Sequence, residues 1–159
     1  MNPEQTVVNF RPASDADLPY LLALRQRTMD PHFHAAGLPC AESDHWLRIH
    51  LRYDCAQLIL LAGQPVGLLK LVKEGAIWDL IQLQLAPDMQ GSGLGTRLLR
   101  EIQHQAREAQ AAVQLNVFKN NPALRLYQRV GFAIQSEDTH SYEMLWRPEC
   151  QKVSRIRSL

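Results

Sequence analysis

The chain has 159 residues, 46% of them hydrophobic, which is enough to bury one sizeable core and makes a single domain the default. Its 17 Lys and Arg stand against 16 Asp and Glu, so no overall field draws it to nucleic acid or to an anionic membrane. Cys40, Cys55 and Cys150 are too few and too scattered for a disulfide framework or a zinc knuckle; no segment reaches the roughly 18 apolar residues of a membrane span, and MNPEQTVVNF has neither the basic start nor the apolar run of a signal peptide, so cytoplasmic residence is expected.

Taken in chain order, residues 6–11 read as a first strand closed by Pro12. Ser14 and Asp17 form a capping-box-like pair before a helix on which Leu18, Leu21, Leu22, Arg25 and Met29 recur at helical spacing, and Pro31 is expected to end it. HFHAAGLPC, 32–40, then reads as a loop. Residues 42–53 suggest a second amphipathic helix with Trp46, Leu47 and Ile49 turned inward. Apolar runs at 57–62 and 66–73 flank Gly63-Gln64-Pro65, the turn chemistry of a hairpin. After Gly75 comes a strand over 77–85. A helix over about 92–109 turns Leu94, Leu98, Leu99 and Ile102 inward. A strand at 113–117, a short helix at 122–129 with Pro at its first turn, and strands at 132–136 and 141–146 complete the order β-α-α-β-β-β-α-β-α-β-β. Residues 1–147 make up this domain, and 148–159, PECQKVSRIRSL, read as a polar, basic tail.

The stretch LQLAPDMQGSGLGTRL, 83–98, carries the chemistry. An apolar strand stops at Pro87, and Gly91, Gly93 and Gly95 then expose successive backbone N–H groups at the positive end of a helix dipole, beside Thr96 and Arg97. Such a turn binds pyrophosphate. Its spacing is not that of a dinucleotide fingerprint, which needs Gly where Thr96 stands, nor that of a P-loop, which needs Lys before Ser or Thr.

Gln90-x-x-Gly93-x-Gly95 resembles the acyl-CoA pyrophosphate loop of the GNAT family of N-acetyltransferases. A second segment, LNVFKNNPALRLYQRVGF, is similar to that family's next strand and helix, with Asn120, Ala123, Leu126, Tyr127, Gly131 and Phe132 at the recurring offsets. The resemblance extends more weakly over residues 6–147. It implies an α/β fold with a mixed central sheet of about seven strands flanked by about four helices, splayed into a V between the fourth and fifth strands. It also implies acetyl-CoA as co-substrate, no metal, and direct transfer to the amine of a small-molecule or peptide acceptor. A homodimer is common in the family, although no feature here demands one.

Under that resemblance the loop residues Gln90, Gly91, Ser92, Gly93, Leu94, Gly95 and Thr96 hold the pyrophosphate, and Asn120 bonds the pantetheine arm. Backbone groups of Leu83 and Leu85 pair with the same arm, and the Leu85 N–H receives the oxyanion. Tyr127 is the general acid beside the sulfur; its plain alternative is a helix Tyr packed on Phe132. Asp79, eleven residues before Gln90, is either the base, acting through water, or a solvated acid. His32, His34, His45 and His50 offer an imidazole instead, and surface exposure is the plain reading for most of the six histidines. His32, His34 and His45 suggest a metal only superficially, since no acidic or Cys partner stands at ligand spacing. Asn121, before Pro122, is expected to cap the short helix and to border the cofactor. Arg97 and Arg100 either meet the 3′-phosphate or are solvated. Met29, His32, His34, Gln82 and Asn116 are candidates for acceptor binding, though exposed strand polarity explains Gln82 and Gln84 as simply. A small amine or amino-acid-like acceptor is the lean, since Glu42 and Asp44 are the only nearby acids. The reading from another class is a non-catalytic acyl-CoA-binding or sensing module.

Overall fold

The structure, a computed structural model, describes residues 6–148; Cys150 and all but Pro148 of the expected tail lie outside them. Seven strands form one mixed sheet in the order β1-β2-β3-β4-β5-β7-β6. They are β1 (Val8–Pro12), β2 (Ala56–Leu61), β3 (Gln64–Val72), β4 (Ile77–Leu85), β5 (Ala112–Phe118), β6 (Ala133–Glu137) and β7 (Ser141–Trp146). Four helices join them: α1 (Leu18–Ala35), α2 (Glu42–His50), α3 (Leu94–Glu108) and α4 (Ala123–Arg129). The order of elements is the one the sequence implies.

The chain divides into two compact units, one of residues 6–71 with Ile81–Gly95, the other of Val72–Leu80 with 96–148. In the first unit, β1 and β2 pair antiparallel from Val8↔Leu61 to Pro12↔Gln57, and β2 and β3 pair from Leu61↔Gln64 to Ala56↔Lys70. The turn between β2 and β3 is Ala62-Gly63, both at positive φ, a two-residue hairpin one position earlier than the Gly63-Gln64-Pro65 expected. Pro65 instead enters β3 opposite Leu60, beside a register shift. The core of this unit is Leu21, Leu24, Ile49, Ala56, Leu58 and Leu68, with Ala86 closing it.

Three expectations are corrected here. Pro31 does not end α1, which continues through His32, Phe33 and His34 to Ala35. Proline's missing N–H costs one bond in the last turns, but the end is closed by a Schellman pair: Leu38 N–H donates to Phe33 O (2.9 Å) and Gly37 N–H to His34 O (3.1 Å), with Gly37 left-handed. The second helix stops at His50, because Arg52 turns left-handed at φ 50°. Leu47 points to solvent at 74% exposure, and it is His45 that shares the inward face with Ile49, four residues on.

In the second unit β4 and β5 run parallel from Ile77↔Ala112 to Leu80↔Leu115, and β5 pairs antiparallel with β7 from Val113↔Trp146 to Phe118↔Ser141. The α3 side chains Leu98, Leu99 and Ile102 are all buried, as is Leu94 of the first unit, as the helical period requires. Gln103 on the same helix is buried with its amide donating to Val130 O at 2.8 Å, and Arg107 lies 5.5 Å from the Trp146 ring centre. No described helix is long and apolar enough to cross a membrane.

Candidate active site

The strand-to-helix loop is built by its own residues. β4 ends at Leu85, and Ala86 N–H donates to Val66 O at 2.8 Å. Pro87–Met89 make one 3-10 turn, after which Gln90 is extended. The Gln90 amide reaches back to Leu85 O at 3.1 Å, holding the loop against the strand's last carbonyl. Ser92 Oγ donates to Met89 O at 2.6 Å and accepts the Leu94 N–H at 3.4 Å, which ties the start of α3. Gly91 and Gly93 have φ of 76° and 88°, so side chains there would be strained, and the space a Cβ of Gly91 would take is open. The loop therefore ties the Gln90 and Ser92 side chains to its own turn and leaves the backbone clear at Gly91, the condition for a phosphate to approach N–H groups.

On β4 alternate residues divide between two environments. Ile59, Gly67 and Leu85 share one face: a Cβ at Gly67 would overlap the Gln84 carbonyl oxygen and come within 3.0 Å of Leu85 Cδ2 and 3.2 Å of Ile59 Cδ1. Leu58 and Leu68 face the other way, into the α1–α2 core. Gln84, next to Leu85, turns to that α1–α2 side, and Gln82 stands two residues earlier on the same strand. Both are buried, Gln82 at 7% and Gln84 at 9% exposure, so the expectation of exposed strand polarity is overturned; β4 is an inner strand. Asp79, Leu83 and Leu85 are half-buried, and Asp79 stands opposite Gln114.

In the second unit Tyr127 is buried on α4, its ring edge-on to Phe132 at 5.8 Å. Burial pushes the phenol up from an ordinary 10 to about 12, so it carries its proton at neutral pH. Asn121 accepts the Ala123 N–H at 2.9 Å, capping α4 as expected. Asn116 and Asn120 are exposed, and Thr96 is half-buried.

Met29 and His32 lie half-buried on α1, and burial lowers the pKa of His32, which favours the neutral imidazole. His34 is exposed, with Nε2 3.1 Å from Cys40 Sγ. His45 is an exception to the surface reading of the histidines: 1% exposed, with Nε2 2.6 Å from Asp30 Oδ1. Among the described residues no three His, Cys, Asp or Glu side chains come together to hold a metal.

Sequence reasoning missed Lys70. It is wholly buried on β3, and its ammonium donates to Arg48 O (3.0 Å), Ile49 O (2.7 Å) and Leu51 O (2.6 Å), the free carbonyls at the end of α2. Burial, then Arg48, lowers its pKa to about 8. Arg25 was seen only as one more residue at helical spacing, yet it is 6% exposed, with burial and then Arg48 lowering it to about 10. Cations inside apolar periods were the available signal.

Residues 19–132 match the model of the acetyltransferase (GNAT) family. A mycothiol acetyltransferase of Thermomonospora curvata is 32% identical over 123 residues, which are 72% of this chain and 34% of that protein. The chain thus spans about a third or less of the length of the curated relatives it matches. The structure is similar to that of the PaiA N-acetyltransferase of Thermoplasma acidophilum in complex with coenzyme A, at 18% identity and a TM-score of 0.69, covering 89% of this chain and 99% of that one. An acetyltransferase of Thermus thermophilus aligns at 23% identity and a TM-score of 0.68, covering 89% and 97%.

Proposed function

The chain belongs to the GNAT acetyltransferase family, and on that premise we propose that it transfers an acetyl group from acetyl-CoA directly to the primary amine of a small-molecule or amino-acid-like acceptor. The loop from Gln90 to Gly95 is the observation that carries this reading. The Gln90 and Ser92 side chains are spent on backbone carbonyls, and the space beside Gly91, just before α3, is left open. Gly91, Ser92, Gly93, Leu94, Gly95 and Thr96 would hold the pyrophosphate, with Asn120 and Asn121 along the pantetheine arm. The reading takes residues 1–147 as one catalytic domain.

The bound thioester supplies the acyl group. Leu83 and Leu85 offer backbone groups to the arm, and the Leu85 N–H is a preorganised donor for the oxyanion that forms as the amine attacks. The C–N bond forms and the C–S bond breaks. Tyr127, a phenol that carries its proton at neutral pH, gives it to the departing sulfur. The proton lost by the amine goes to Asp79 through water or to the neutral imidazole of His32.

Thermal unfolding with acetyl-CoA, NAD and ATP tests the reading. Acetyl-CoA at 100 times its Kd should add about 2.7 kcal/mol of stability, whereas NAD and ATP should add none. Absence of the acetyl-CoA shift overturns acetyl transfer. Stabilisation with no CoA release from any amine favours the non-catalytic acyl-CoA-binding module instead.

A further inference from the structure

Among the described residues, the buried side-chain polar atoms without a hydrogen-bond partner are Tyr20 Oη, Arg25 Nε, His45 Nδ1 and both amide atoms of Gln82. All four residues belong to the first unit. Each such atom costs roughly 1–3 kcal/mol in a folded protein, so native chains hold few of them. Two of these residues, Arg25 and His45, stand on the buried faces of the two helices that cover one core. Arg25 lies four residues from Leu21 on the buried face of α1, His45 four from Ile49 on that of α2, and Gln82 is buried on the part of β4 that belongs to the same unit.

The charges buried there are unbalanced in one direction. Lys70 has given all three of its N–H groups to the end of α2, and Asp30 is engaged by His45. The charged neighbours of Arg25 are Arg48, which disfavours its charge, and Asp30, which favours it. A buried guanidinium whose nearest carboxylate is already bonded elsewhere is short of one negative charge.

We propose that these buried groups form the acceptor site and that the acceptor carries a carboxylate beside the amine it presents, with Arg25 pairing to the carboxylate and Gln82 donating to it. The inference rests on the acetyl-transfer reading above. One unspent guanidinium and one unspent amide suit a planar, singly charged anion; a phosphate brings more charge and more acceptor atoms than these donors answer. Tyr20 Oη and His45 Nδ1 remain to bond the acceptor's other polar groups. The substrate class is then amino acids or compounds that end in one.

The test pairs free amino acids with the amines left when their carboxylate is removed, assayed by CoA release. Wild type should use the carboxylate member at least tenfold better in kcat/KM, and Arg25→Met should abolish that preference. Gln82→Leu should raise the acceptor KM several-fold. Both variants should leave the KM for acetyl-CoA unchanged and the ligand-free melting temperature level or higher, because each removes an unpaired buried group at similar volume. Where Arg25→Met does not fold, Gln82→Leu and Arg25→Lys decide. Equal use of the decarboxylated amines, no turnover of any carboxylate-bearing amine, or an unchanged acceptor KM in the variants overturns the proposal. Failure of acetyl-CoA to bind wild type overturns the acetyl-transfer reading instead.

Discussion

The two units bury different kinds of group. In the second, the interior described is apolar except for the Tyr127 phenol and Gln103, whose amide is satisfied by Val130 O. In the first, Asp17, Arg25, His45, Lys70, Gln82 and Gln84 are all buried, and several of their polar atoms have no partner. A satisfied apolar interior fixes one arrangement, and suits a unit whose ligand chemistry is constant. An interior with unspent donors is less stable alone and more selective once a ligand answers them.

The largest effect should come from the satisfied unit. Tyr127→Phe keeps the packing on Phe132 and removes the phenolic proton, so kcat should fall roughly 100-fold or more with little change in melting temperature. Steady-state kinetics beside a thermal melt checks it. Full turnover in the variant would leave Tyr127 as a packing residue and weaken the contrast between the units.

Next is Lys70→Met in the polar unit. The three carbonyls at the end of α2 lose their donor, which should cost about 3 kcal/mol in urea unfolding. Set against the level or raised stability expected of Arg25→Met, this sharpens the comparison. Two buried cations in one unit should respond in opposite senses, because one is answered by the protein and the other is not. Equal losses would mean that both are structural.

How much of this was legible in the sequence follows the same division. Period-2 and period-3.6 patterns are local and arise from apolar burial, so the strand order, the inward face of α3 and the Asn121 cap could be read directly. The loop was legible because glycine spacing is itself the chemistry. Lys70 was not, since its donors are answered by carbonyls about twenty residues earlier, at the end of another element. Pro31 misled because Gly37, the actual stop, acts six residues later through a Schellman pair. Gln82 looks like any exposed strand amide until β3 is known to lie beside β4.

Gly67→Ala probes that strand contact at somewhat smaller cost. The added methyl would meet the Gln84 carbonyl oxygen, which belongs to backbone and cannot swing away, so about 2 kcal/mol should be lost in chemical unfolding. The displacement falls on the strand that carries Gln82 and Leu85, so kcat/KM should fall as well. Wild-type stability in the variant would show that β3 and β4 lie further apart.

The smallest effect, and the one that bears most directly on paired against unpaired charge, concerns Asp17. Its carboxylate accepts both Arg11 Nη groups at 2.8 Å and the Ser14 N–H at 2.8 Å, and these bonds, the Arg11 pair foremost, hold it down at about 2 from an ordinary 3.8. A carboxyl more acidic in the folded chain than in the unfolded one stabilises the fold when both are ionised. That stabilisation is complete above about pH 4 and is lost as pH falls from 3.8 through about 2, where the folded chain must also take up the proton. Urea midpoints measured from pH 5 to pH 2 should therefore decline, and Arg11→Gln should decline less, retaining only the part that the Ser14 N–H supplies. Other carboxylates titrate over the same range in both proteins, so the difference between the two curves isolates this pair. Parallel curves would show that Arg11 contributes no more to Asp17 than water does, and that even the answered charges of the first unit are solvated ones.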